Sequence, residues 1–190
     1  MGGGLEEIDG RLKATGDRLT NLSGLENLVY IGEDLEVSSA PQFVDFTGLD
    51  NLTEVGEDVS IYNLDLLESL HGLQNLQHIG GYLAIYYSDL IVDFAGLDAL
   101  VTIGDSLAID TNAALETLAG LEGVESIGNS LLILDNPTLF DVSSLHAVSW
   151  IVDELTITDN TDLPTADAEA LRDAIGTDNI GGTITISGNQ

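Results

Sequence analysis

Residues Gly120–Ile133 read GLEGVESIGNSLLI, and 24 residues earlier Gly96–Ile109 read GLDALVTIGDSLAI on the same skeleton. Extending outward at that step, Gly-Leu pairs stand at Gly24-Leu25, Gly48-Leu49, Gly72-Leu73, Gly96-Leu97 and Gly120-Leu121, with Ser144-Leu145 next in line. A second marker keeps the same register through Ile31-Gly32, Val55-Gly56, Ile79-Gly80, Ile103-Gly104 and Ile127-Gly128, reaching Ile151-Val152. Two markers in phase without an insertion identify an internal repeat.

A third marker is a pair of apolar residues flanking one variable position: Leu35/Val37, Val59/Ile61, Leu83/Ile85, Leu107/Ile109, Leu131/Ile133 and Leu155/Ile157. This alternation predicts a short β-strand with one buried face in every repeat. After each strand, apolar residues recur at steps of six and then three, as in Ile109, Leu115, Leu118, Leu121, Val124 and Ile127. Neither a helical nor a strand period fits that run. It suits a coil that sends one side chain inward per short segment and buries its apolar edge by stacking.

The ends depart from the pattern. Ile8–Ala14 imitates Ile31–Val37 shifted by one residue and reads as the first rung. Thr165–Ile175 (TADAEALRDAI) carries an N-cap Thr, early acids Asp167 and Glu169 and a following Gly176, which predicts a short helix over about 166–175. Its face Ala170, Leu171, Ala174 and Ile175 is expected to plug the core. A last strand over Gly182–Ile186 gives 29 residues from Leu155 to Ile184 and brings the expectation to about eight rungs. The chain thus reads as mainly β: one solenoid over residues 8–190 with a C-terminal capping helix, preceded by residues 1–7 as a tether or expression scar.

Composition narrows the function. With 4 Lys+Arg against 33 Asp+Glu, a net charge of −29 excludes nucleic-acid binding, since nothing neutralises a row of phosphates. The 44% apolar fraction separates the chain from a disordered acidic tail, and no apolar run is long enough to cross a membrane. With no cysteine there is no disulfide, thiolate metal site or cysteine nucleophile. So many uncompensated carboxylates predict a fold stabilised by salt or millimolar Ca²⁺ through screening.

GLENLVYIGEDLEV (24–37), GLQNLQHIGGYLAI (72–85) and GLEGVESIGNSLLILDNPTL (120–139) resemble the repeats of receptor L domains. The resemblance spans roughly Ile8 to Asn189. It implies a right-handed solenoid related to leucine-rich repeats, flat on one face. That module binds ligands in the insulin and epidermal growth factor receptors and occurs in microbial surface proteins. The absence of cysteine points toward a microbial relative, expected to be bacterial, and the resemblance implies a binding or adhesion role.

Asn112, Asn136, Asn160 and Asn189 share a slot just after the strands, beside Asp110, Asp135 and Asp159. Stacked oxygens invite Ca²⁺, but a turn asparagine more commonly bonds the backbone of its own and adjacent coils, so a structural ladder is expected. His71, His78 and His146 fall in three different slots and do not stack. Serine-nucleophile, phosphate-loop and helical zinc motifs are missing, and Arg11, Lys13, Arg18 and Arg172 leave the middle of the solenoid without a cation for lyase chemistry. No enzyme is expected, and no cofactor beyond weak Ca²⁺ binding by the acidic surface.

Outward strand positions gather four of the five tyrosines. Tyr62, Tyr82, Tyr86, Leu132 and Leu134, with Tyr87 at the border and Asp110 on the rim, are predicted to form one patch around Ala84 and Ala108, because neighbouring rungs lie about 4.8 Å apart. Aromatic anchors in a polar rim are what an interface looks like, and tyrosine also stacks on sugars. The sequence therefore reads as a non-enzymatic module at the cell surface or outside the cell, recognising a protein or surface polysaccharide through its strand face. The alternative is a structural, self-associating stalk, favoured by an edge left open after Ile186. The glycine run Gly2–Gly4 resembles the tether of a lipid-anchored lipoprotein.

Overall fold

The computed structural model describes residues 4–190, so Met1–Gly3 of the expected tether lie outside the described residues. The chain winds into stacked coils, each contributing a two-residue strand and then a longer one. They are β1 (Glu7–Ile8) and β2 (Leu12–Ala14), β3 (Tyr30–Ile31) and β4 (Leu35–Ser38), β5 (Glu54–Val55) and β6 (Val59–Tyr62). Then follow β7 (His78–Ile79) and β8 (Leu83–Tyr86), β9 (Thr102–Ile103) and β10 (Leu107–Asp110), β11 (Ser126–Ile127) and β12 (Leu131–Leu134). Two further long strands, β13 (Leu155–Thr158) and β14 (Ile184–Ser187), enclose the helix α1 (Thr165–Ile175).

All pairing is parallel and in repeat register. The long strands form an eight-stranded sheet in the order β14-β13-β12-β10-β8-β6-β4-β2, and the short ones a six-stranded sheet. Six coils thus carry both strands rather than the expected eight. In the last two the short strand shrinks to single bridges, Ile127 to Ile151 and Ile151 to Ile180. The cause is visible at one slot. Gly128 donates its N–H to the Ile103 carbonyl at 2.9 Å, and a Cβ there would collide with the Gly104 carbonyl. In the next coil the slot holds Val152, whose side chain opposes that approach, and the ladder breaks there; in the last coil Gly181 donates to the Ile151 carbonyl at 3.0 Å again, yet the pairing stays a single bridge.

The step of three comes from consecutive tight turns. Leu121 N–H bonds the Leu118 carbonyl at 3.2 Å and Val124 N–H bonds that of Leu121 at 3.1 Å, so every third side chain faces inward. Leu115, Leu118, Leu121, Val124 and Ile127 are all fully buried, and the same columns in other coils make one continuous core. Phe43 and Phe46 fill the second coil's turns edge to face, with ring centroids 5.1 Å apart. Gly120 holds φ at 103° in its turn, a region that suits glycine, and its N–H is accepted by Glu122 Oε2 at 2.8 Å. Where Ser144 takes that slot, the backbone tightens instead into a 3₁₀ turn, Ser143–Leu145.

The helix forms, with two corrections. Pro164 occupies the N-cap, so helical structure begins at Thr165, whose hydroxyl donates to the Gln190 carbonyl at 3.0 Å instead of capping. The buried stripe is Ala168, Leu171 and Ile175, spaced three and four apart, while the expected Ala170 and Ala174 are exposed. Gly128→Ala is expected to destabilise the fold by about 1–3 kcal/mol through backbone collision. Gly10→Ala, where an added Cβ meets open space, should stay within about 0.5 kcal/mol. Urea unfolding of the two variants checks both values.

Candidate functional site

Parallel register decides which outward side chains meet. Tyr62 on β6 pairs with Tyr86 on β8, Tyr86 with Asp110 on β10, and Asp110 with Leu134 on β12. The parallel row one step earlier runs Ser60, Ala84, Ala108 and Leu132. Tyr82 precedes β8 and leans toward β6, where its hydroxyl accepts from Ser60 Oγ at 3.1 Å. Thus Tyr62, Tyr82, Tyr86, Asp110, Leu132 and Leu134 share one face of the long sheet, all half-buried, around buried Ala84 and Ala108.

The tyrosines lie down rather than stand up. Tyr62 Oη donates to Glu36 Oε1 at 2.6 Å, the oxygen that also receives Lys13 Nζ at 2.8 Å and Ser38 Oγ at 3.0 Å. Three donors hold the Glu36 carboxyl down to about 2, with the Lys13 bond the largest contribution and that of Tyr62 next. Burial pushes the Tyr86 phenol up, reinforced by Tyr82 and by the Asp110 carboxylate. Small neighbours make this posture possible: Ser60 and Ala84, on the row beside them, leave room for the Tyr62 and Tyr82 rings to reach across the sheet.

Tyr87 is set apart from this posture. It follows β8 with φ 51°, in a column of left-handed residues that otherwise holds Ser39, Asn63, Thr111, Asp135 and Asp159, and it is 53% exposed. Close along the chain, Leu90 and Val92 are also exposed, and Leu66 occupies the Leu90 slot one coil earlier. The strand columns alone do not reveal this second apolar group. Its signal is phase: these residues fall outside the step of three that marks the core.

The asparagines form a buried ladder. Oδ1 of Asn136 accepts the Asn112 N–H at 3.0 Å, that of Asn160 accepts the Asn136 N–H at 3.1 Å, and that of Asn189 accepts the Asn160 N–H at 3.2 Å. Each amide nitrogen donates onward; Asn136 Nδ2 reaches the Ile109 carbonyl at 3.1 Å and the Leu134 carbonyl at 2.8 Å. In the preceding coil buried Ser88 fills the slot and donates its N–H to Asn112 Oδ1 at 3.1 Å, and in the coils before it Leu64 and Ala40 do. The ladder oxygens are already committed to backbone N–H groups.

Many carboxylates are committed too. Gly24, Gly48, Gly96 and Gly120 donate their N–H groups to Glu26, Asp50, Asp98 and Glu122, two residues on, and Thr47, Ala95 and Ser143 donate to Asp45, Asp93 and Asp141. The N–H bonds from Gly24 and Gly48 lower the Glu26 and Asp50 carboxyls, and Asp141 is lowered first by the Ser143 hydroxyl and then by the Ser143 N–H. His78 bonds Thr102 at 2.8 Å, and His71 and His146 stand in other slots of the repeat. Among the described residues, no three His, Asp or Glu side chains are arranged to hold a metal ion. A cleft of about 370 Å³ between the 3₁₀ turn and α1 is lined by Phe140, Asp141, His146 and Asp167 and contains none of the face tyrosines.

Comparison of the chain with family models, with curated proteins and with solved structures found no match. Two outcomes follow from the geometry. Asn136→Ala leaves the buried Asn112 N–H without its acceptor and removes the amide bonds to the Ile109 and Leu134 carbonyls, so urea unfolding should show a loss of about 1–3 kcal/mol. Because the folded Glu36 pKa lies below its unfolded value, its contribution is present above pH ~4.5 and fades as pH falls toward 2. Glu36→Gln should accordingly lower the melting temperature at pH 7, with the gap to wild type closing between those limits.

Proposed function

We propose that this chain is a non-enzymatic binding module, displayed at a microbial cell surface, that recognises a protein or a glycan through its long-sheet face. The observation that carries this reading is the cross-strand pairing of Tyr62 with Tyr86, with Tyr82 alongside, in the middle rungs of a flat parallel sheet. Half-buried phenols fixed by Glu36 and Ser60 offer broad, amphipathic contact area with little side-chain entropy left to lose on binding. Asp110 and Glu36 border the rings and favour hydrogen-bond donors on the partner. With a net charge of −29, the surface attracts positively charged partners and repels acidic ones.

The resemblance to receptor L domains supports the surface location and the use of the strand face. A second reading, self-association as a structural element, is favoured by a separate observation: β14 closes the long sheet with one edge unpaired among the described residues.

A screen of glycans and isolated surface proteins, run with and without Ca²⁺, identifies the partner. The double variant Tyr82→Ser/Tyr86→Ser should then bind at least about tenfold more weakly. Its melting temperature should fall by only about 2–4 °C, because the rings lie on the face and outside the core. Undiminished binding by that variant rejects the strand face as the recognition surface.

A further inference from the structure

The two ends of the solenoid are built as complementary halves of one missing rung. Leu155 and Asp159 donate to the carbonyls of Thr183 and Ser187 at 3.0 Å each, so alternate residues of β14 face β13 and the backbone groups of Ile184 and Ile186 point outward. At the other end, Leu12 and Gly16 donate to Asp34 and Ser39 on the side of β4, leaving Lys13 and Thr15 outward. Ile184 is 37% exposed, whereas Leu155, its partner on β13, is fully buried. β14 reads ITIS: no charge, proline or bulge guards this edge against pairing.

Register makes a second copy of this chain the fitting occupant. Ile8 precedes Leu12 by four residues, as Ile180 precedes Ile184, so a copy's first coil continues both sheets at once. Asp17 stands five residues after Leu12, the spacing from Ile184 to Asn189, which places its carboxylate in the ladder slot as the acceptor for the Asn189 N–H. Three of the four cations, Arg11, Lys13 and Arg18, lie in the first coil among Glu6, Glu7, Asp9 and Asp17, and Arg11 and Lys13 bridge Asp34 and Glu36 at 3.0 and 2.8 Å, so register rather than charge selects the occupant. We propose that the chain associates head to tail, β2 of one copy pairing in parallel with β14 of the next, to form an open-ended stack. Such a contact is heterologous and does not close on itself. It is independent of what the strand face binds.

The test is sedimentation of the intact chain up to about 1 mM, in about 0.15 M NaCl, where screening beyond ~8 Å quiets the overall repulsion but leaves contact charges active. Wild type should grow in mass with concentration. Ile184→Pro and Thr15→Pro each remove one outward N–H without touching an internal bond, and each alone should sediment as a single 20.0 kDa chain. Mixed in equal amounts, they retain one intact edge of each kind and should form dimers and nothing larger. Ile184→Lys, a charge on the edge with the backbone unchanged, serves if a proline variant misfolds and should likewise abolish growth. Tyr82→Ser/Tyr86→Ser should assemble as wild type does. The proposal is overturned by a wild type that stays monomeric throughout, by assemblies that survive either edge variant, or by a mixture that fails to dimerise.

Discussion

The structure depends on backbone hydrogen bonding between coils, at a step of 24 residues from β4 through β13, with 23 at the first coil and 29 at the last. No coil satisfies its own amides in its strands; each donates to and accepts from both neighbours, as where Gly104 N–H reaches back to Ile79 and Leu107 N–H reaches forward to Ser130. That requirement fixes the register, and the register makes every slot a column. Leucine above leucine then becomes a core, asparagine above asparagine a polar ladder, and glycine above glycine the narrow seam that lets the short strands approach. Substitutions in the columns have local consequences: Val152 in the glycine seam stops the six-stranded sheet, and Ser144 in the turn column gives a 3₁₀ turn.

The acidity acquires a structural meaning in this light. A coil made of tight turns exposes N–H groups that point away from any strand, and each needs an acceptor within two residues. Carboxylates accept strongly and donate nothing, so Asp50, Asp98 and Glu122 serve where Gln74 serves in the coil between. Part of the charge imbalance therefore belongs to turn chemistry. The remaining exposed carboxylates set the long-range field.

On the strand face, the same columns give a platform rather than a pocket. Serine and alanine beside the rings allow Tyr62 and Tyr82 to lie across neighbouring strands, and Glu36 collects three donors at its edge. A surface of this kind is pre-ordered by the sheet, which suits recognition of a broad, shallow partner. At the ends the periodic order continues outward: the backbone groups of Ile184, Ile186, Lys13 and Thr15 are positioned as though a further rung were present.

Periodicity made the coils, the long-strand positions, the inward leucines and the grouping of the tyrosines legible from the chain alone, because a repeated step turns sequence distance into spatial adjacency; the two-residue strands of the six-stranded sheet are too short to leave an alternation and were not. The posture of those tyrosines was not legible: it depends on Glu36, a full coil away, and on the size of the residues beside the rings. The end of the short sheet at Ile127 was hidden as well, since it depends on a backbone clash at Val152 that no pattern of apolar residues reports. The face of α1 followed the same rule. Ala168, Leu171 and Ile175 are buried in place of Ala170 and Ala174, because the orientation of a single helix is set by the core it covers. Sequence by itself determined the repeat and its register, which follow from local hydrogen bonding and burial; only the tertiary structure decided which outward side chains touch, because those contacts join residues of different coils.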